Sequence, residues 1–164
     1  MPSTQTAQEV GAEQIKALAQ ARLACLEALE IIAADGKYGK AKFLRLVKGL
    51  PCGMVARLRR DWVLHGPPLP TTGKRGRPQV HGKHFAFKEP ETWGEPDEVF
   101  ELDNPYWGQV RLERWSGLHE KKGTAVTYDV VRACVHCGRE KPPTALWLAW
   151  LPPEPVPVGI NVTV

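Results

Sequence analysis

Between Gly36 and Lys88 the sequence carries a single acidic residue, Asp61, against thirteen lysines and arginines, a net +12 in that segment. Other absences bound the problem further. No run of apolar residues approaches the roughly 18 needed to cross a bilayer as a helix, and MPSTQTAQEV has neither the basic start nor the apolar stretch of a secretory signal. The expectation is a soluble, cytoplasmic protein. Four cysteines at irregular positions, Cys25, Cys52, Cys134 and Cys137, do not form a secreted disulfide framework. Glycine-rich phosphate loops and nucleophile elbows are missing.

The chain is 164 residues long and 43% hydrophobic, enough for one ordinary domain or one domain with an appendage. Its charge is segregated: after the basic block, residues 89–129 hold ten acids and four bases, a net −6. Such segregation points to a basic face for a polyanion, the alternative being a solvated face that pairs with the acidic block.

Apolar residues recur at helical spacing from Thr6 to Leu26, at Val10, Ile15, Leu18, Ala19, Leu23 and Leu26, and Thr6 with Glu9 forms a capping-box pattern. LEIIAAD, 29–35, reads as a buried strand whose last residue, Asp35, emerges at the sheet edge. A second helix is expected over Lys40–Lys48, with Phe43, Leu44 and Val47 on one side and Gly49 and Pro51 ending it. GMVARLRR, 53–60, alternates Met54, Ala56 and Leu58 against Val55, Arg57 and Arg59, a strand pattern. Helix, strand, helix, strand makes an α/β unit. Beyond residue 61, turn clusters such as DNPYWG separate short runs such as QVRLERW and ALWLAWL, so a β-rich half with long connections is expected, most of its tryptophans in the core. The tail 152–164 is proline-rich.

Asp35 is the first aspartate of the chain and stands at an expected strand end. A carboxylate there can hold Mg²⁺ beside phosphate, since magnesium takes oxygen ligands and keeps exchangeable waters; Asp followed by Gly is equally a turn signal. KRGRP, 74–78, contains the Gly-Arg-Pro core of the AT-hook peptide, with non-specific phosphate contact and a solvated loop as the broader readings. CVHC, 134–137, supplies half a zinc site or a simple thiol pair. His65, His81, His84 and His119 show no spacing that a metal or a nucleophile requires.

The blocks IIAADGKYGKAKFL, GLPCGMVARLRRDWVLHGPP and GKRGRPQVHGKHFAFKEPETWGEPDE, followed by YWGQVRLERWSGLH and LWLAWLPP, together resemble the central part of bacterial insertion-sequence transposases of the DDE type, over roughly residues 8–152. The resemblance implies a partial RNase H-like catalytic core over 1–61, a β-rich insertion domain over 62–151 and a tail over 152–164. It implies Mg²⁺ chemistry on transposon-end DNA, self-association as in synaptic complexes, and a location in the bacterial cytoplasm and nucleoid. Asp35 maps onto the family's second catalytic aspartate and metal ligand. Arg57, Arg59, Arg60, Lys74, Arg75, Arg77 and Lys83 are expected to lie along DNA. No aspartate precedes Asp35 to serve as the first ligand, none of Tyr38, Tyr106 and Tyr128 begins the helix pattern that carries the family's glutamate, and Lys40 replaces the asparagine usual after YG. The expectation is therefore a truncated transposase, inactive alone, with a non-enzymatic DNA-binding module as the alternative.

Overall fold

The computed structural model describes residues 5–22, 30–70, 79–136 and 144–150. Helix α1 spans Ala7–Arg22, strand β1 Glu30–Ala34, helix α2 Ala41–Val47 and strand β2 Cys52–Arg57. The β-rich half follows as β3 (Val63–His65), β4 (His84–Ala86), a 3-10 turn at Pro90–Thr92, β5 (Glu98–Asn104), β6 (Gly108–Leu118), β7 (Tyr128–His136) and β8 (Thr144–Trp150). Among the described residues no helix is long and apolar enough to cross a membrane.

The start of α1 is set by the capping box. Thr6 donates from its backbone N–H to Glu9 Oε2 at 2.8 Å and from its hydroxyl at 2.9 Å, and the Glu9 N–H donates back to Thr6 Oγ1 at 3.3 Å. The buried stripe of α1 differs from the expected one: Ala12 and Ala19 are buried with Ile15 half-buried between them, whereas Leu18 is 58% exposed. The small side chains of Ala12 and Ala19 let α2 approach closely, and Gly11 sits against the Tyr38 ring. Residues 23–26, the rest of the expected stripe, lie outside the described residues.

β1, α2 and β2 form a parallel βαβ unit in which Glu30 faces Cys52 and Ala34 faces Ala56. As expected, Phe43, Leu44 and Val47 of α2 are buried, and they pack with Met54, Ala56 and Leu58. Gly49, at φ 88°, ends the helix. The first amide of α2 is satisfied from far away in sequence: Ala41 N–H donates to Glu120 Oε1 at 2.7 Å, while the Lys40 side chain makes no cap bond. β1 is a correction to the expected buried strand. Among the described residues it pairs with β2 alone, at one edge of the sheet, and Ile31 is 52% exposed.

Six strands share one sheet in the order β1-β2-β8-β7-β6-β5. Strands β5 to β8 run as an antiparallel meander, and β8 returns to pair antiparallel with β2, placing Trp150 opposite Met54. β3 and β4 make a separate two-stranded sheet. A hydrophobic cluster joins α2 and β2 to Leu64, Phe85, Phe87, Trp115, Leu118, Tyr128, Val130 and Trp150. Phe85 stacks on Trp93 at 5.6 Å and meets Trp115 edge-on at 5.4 Å, and the Trp93 indole N–H donates to Ala86 O at 2.7 Å. Trp115 and Trp150 are core and Trp62 and Trp93 pack at its margin, but Trp107 is 59% exposed in the β5–β6 turn.

Part of the acidic half is paired internally. Arg114 binds Glu98 at 2.8 Å and Asp129 at 2.7 Å, Arg111 binds Glu101 at 3.2 Å and Glu113 at 3.1 Å, and Arg132 Nε lies 2.7 Å from buried Glu113 without hydrogen-bond alignment. Apart from Arg111–Glu113, which lies within β6, these pairs cross between strands and hold β5, β6 and β7 in register.

Candidate nucleic-acid interface

Asp35 directly follows the last residue of β1, at the carboxyl end of a strand in a parallel pair, the usual place for ligand chemistry in α/β sheets. The turn behind it is built locally. Asp35 Oδ1 accepts the Lys37 N–H at 2.7 Å, its backbone carbonyl accepts the Tyr38 N–H at 3.0 Å, and Gln8 of α1 donates to Lys37 O at 2.8 Å. Tyr38 then packs edge-on against Phe43 at 5.0 Å, tying the turn to the core. Gly36 is required by crowding: a Cβ there would stand 2.9 Å from Arg57 O.

A cleft of about 500 Å³ opens beside Asp35, lined by the first residues of α1 and by Lys37, Lys40 and Arg59. Asp35, which is exposed, is the one carboxylate among the lining residues. A neighbouring cleft of about 430 Å³ shares Gly36 and Arg59 and adds Arg57, Arg60, Asp61 and Lys88. β2 ends at Arg57, so Arg59 and Arg60 lie in the turn that follows rather than in the strand expected through residue 60.

Arg59 grips Asp61 with two bonds, Nε to Oδ1 at 3.0 Å and Nη2 to Oδ2 at 2.8 Å, and these hold the Asp61 carboxyl below its ordinary range. Both side chains are about half exposed or more, so the pair is worth little to stability. It is also the sole internal ion pair of the basic block among the described residues, because the ion-paired acids of the β-rich half bind Arg111, Arg114 and Arg132. The basic side chains of the two clefts are thus not neutralised by the acidic block.

Of the residues expected on DNA, Arg57, Arg59 and Arg60 come together here. Lys83 lines a different cavity, with Gly66, His84 and Trp93, and Lys74, Arg75 and Arg77 lie outside the described residues. Lys37, Lys40 and Lys88 join the clefts although spacing alone did not single them out; the βαβ turn and the Phe87–Trp62 backbone bond place them. Cys134 is on β7, half-buried, and Cys137 lies outside the described residues. Histidines separated in sequence, His65, His81, His84 and His119, form one cluster that their spacing did not signal.

The residues described do not fit a two-metal centre. Among them no group of three or more His, Cys, Asp or Glu side chains is placed to hold a metal ion, and Asp35 faces cations rather than further carboxylates. What the arrangement offers chemically is several cations and the start of a helix around one exposed carboxylate, a surface suited to phosphate oxygens. The model of the DDE superfamily endonucleases matches residues 2–120. No curated protein matches the chain.

Proposed function

Because the chain belongs to the DDE superfamily endonuclease family, we propose that it is a DNA-binding piece of a transposase, derived from the insertion-sequence type, that presents the carboxyl end of β1 to transposon-end DNA. The single observation that carries this reading is the excess of basic side chains at that strand end, where Lys37, Lys40 and Arg59 line the cleft with Asp35 and Arg57, Arg60 and Lys88 line the cleft next to it. In this reading residues 1–61 are part of an RNase H-like core, 62–151 an inserted β-rich domain, and 152–164 a tail. The parallel β1–α2–β2 unit and the antiparallel β5–β8 meander fall on either side of that division, and the β2–β8 pairing joins them in one sheet.

Mg²⁺, if held at such a strand end, would supply activation of water for phosphodiester cleavage. Asp35 would be one ligand of that ion, and a single carboxylate does not position two ions, so in this reading the chain does not cut DNA by itself. Its own residues bind and orient: Lys37, Lys40 and Arg59 hold phosphate oxygens next to Asp35, and Arg57, Arg60 and Lys88 extend the contact along the backbone. Lys74, Arg75, Arg77 and Lys83 add to it, and self-association pairs two ends.

The lone carboxylate favours a second reading of the same surface, a non-enzymatic DNA-binding module. Both readings are tested by titrating duplex DNA against salt. Wild type should bind with a steep dependence of log affinity on log salt, and replacing Arg57, Arg59 and Arg60 by glutamine should lower that slope by about 0.9 for each phosphate no longer neutralised. Equal slopes for folded wild type and variant would overturn the assignment. Supplying the missing carboxylates on a second polypeptide, with Mg²⁺, separates the two: nicking that disappears with Asp35→Asn identifies the enzyme piece, and its absence leaves the module.

A further inference from the structure

Four of the five histidines meet at the junction of the two sheets. Pairing of β3 with β4 sets His65 opposite His84, and the backbone carbonyls of His65 and His119 each accept the other's backbone N–H at 2.9 Å. His81 precedes β4 and completes the group. Ring centroids are 4.7 Å apart for His65 and His84, 4.8 Å for His65 and His81, 5.3 Å for His81 and His119 and 6.1 Å for His65 and His119. His65 and His119 are buried, His81 is half-buried and His84 is exposed beside exposed Lys83.

The polar atoms of this cluster are incompletely satisfied. Among the described residues, Nδ1 of His65 and Nδ1 of His81 are buried without a hydrogen-bond partner. His119 has a carbonyl oxygen 3.1 Å from each ring nitrogen, Glu120 O at Nδ1 and Gly66 O at Nε2. A carbonyl only accepts, so a neutral ring donates to one of them and an imidazolium to both. The groups whose charge reaches His65 are His84, His81, His119 and Lys121, all cationic when charged; burial first, and these neighbours second, hold its imidazole below the ordinary range. On the open side, His84 and Lys83 share a cavity with Glu91, Glu95 and Asp97, and Asp97 is committed to Ser116 by bonds of 2.6 and 2.7 Å. Each proton taken up makes the next harder to add. A polyanion outside Lys83 and His84 reverses that penalty.

We propose that the four-histidine cluster is a proton-linked phosphate contact: duplex DNA lying over Lys83 and His84 drives proton uptake by the cluster, so that DNA binding tightens as pH falls from about 8 to about 6. The proposal rests on the reading that this chain binds DNA. The protons come from the buffer and return to it on release, and no bond is made or broken.

The test is binding of the full chain to a random-sequence duplex at constant ionic strength and pH 6, 7 and 8 by fluorescence anisotropy, with calorimetry in two buffers of different ionisation enthalpy to count protons. Affinity should rise toward pH 6 by up to about tenfold per pH unit for each proton taken up, and His81→Gln and His84→Gln should each flatten that slope in proteins shown by circular dichroism to be folded. A pH-independent affinity, or an unchanged slope in both variants, overturns the proposal while leaving DNA binding intact. Absence of binding at every pH fells the DNA-binding reading and the proposal with it.

Discussion

Asp35 and Arg59 line the same cleft, but each is engaged elsewhere: Asp35 accepts the Lys37 N–H at 2.7 Å, and Arg59 holds Asp61 at 2.8 Å. The one negative charge inside the basic block is therefore engaged by the arginine that lines the cleft with Asp35. In the proposed reading, phosphate arriving in the cleft would compete with Asp61 for that guanidinium, and an exposed pair of this kind yields easily.

Asp61→Asn should release Arg59 and remove a like charge from the path of DNA. The expected result is tighter duplex binding, by about two- to tenfold at low salt, with a salt slope steeper by roughly 0.9. Anisotropy titrations of the two proteins at several salt concentrations check it, and weaker binding by the variant would mean that the pair positions Arg59 rather than sequestering it.

Fold stability should fall on the acid side of neutrality because of His65. Its folded-state imidazole is held below its ordinary value, so the unfolded chain binds the proton more readily. The stability this represents is fully present above an unfolded value near 6.5 and is lost as pH drops below it. Urea midpoints between pH 8 and pH 5 should decline, and less so for His65→Gln. Asp61 and Asp97, both held below the ordinary carboxyl value by their hydrogen bonds, lose their contributions only at more acid pH, so the windows separate.

Gly82→Ala and Gly66→Ala should behave differently although the two glycines are hydrogen-bonded to each other. A Cβ at Gly82 would fall on Pro67 O, whereas one at Gly66 would keep 3.9 Å from its nearest neighbours. The Gly82 variant should lose several kcal/mol and the Gly66 variant about 1 kcal/mol or less. Thermal melts of the pair decide the point.

Glu120→Ala should destabilise α2, whose first amide it caps, by about 1 kcal/mol, and Glu120→Gln, which keeps an acceptor, by less. Denaturant midpoints compare them. Equal losses would show that the charge toward the helix start matters more than the acceptor.

Much of the first half was legible in the sequence because its signals are local. Thr6 and Glu9, the Phe43–Leu44–Val47 face, the Gly49 stop and the alternation through Met54, Ala56 and Leu58 each need only a few residues of context. Exposure of Ile31 and Leu18 was not legible, since which strand becomes an edge and how close α2 sits to α1 are decided by tertiary packing. Asp35 and the arginines after β2 could be named from position and charge. The gathering of His65, His81, His84 and His119 could not, because it depends on a hairpin register and on a bridge between His65 and His119 that no spacing rule encodes. Glu120 capping α2 was hidden for the same reason.

The return of β8 to lie between β2 and β7 bears on how the molecule assembles. β2 is synthesised early, yet its partner across the Met54–Trp150 register comes from nearly the far end of the described chain. Local helix and hairpin contacts can form at once, but joining the parallel unit to the meander must wait for a long loop to close, which slows folding. During synthesis one edge of β2 stays open until the chain past Trp150 has left the ribosome, and a chain cut before Thr144 would keep that edge open to pairing with other molecules.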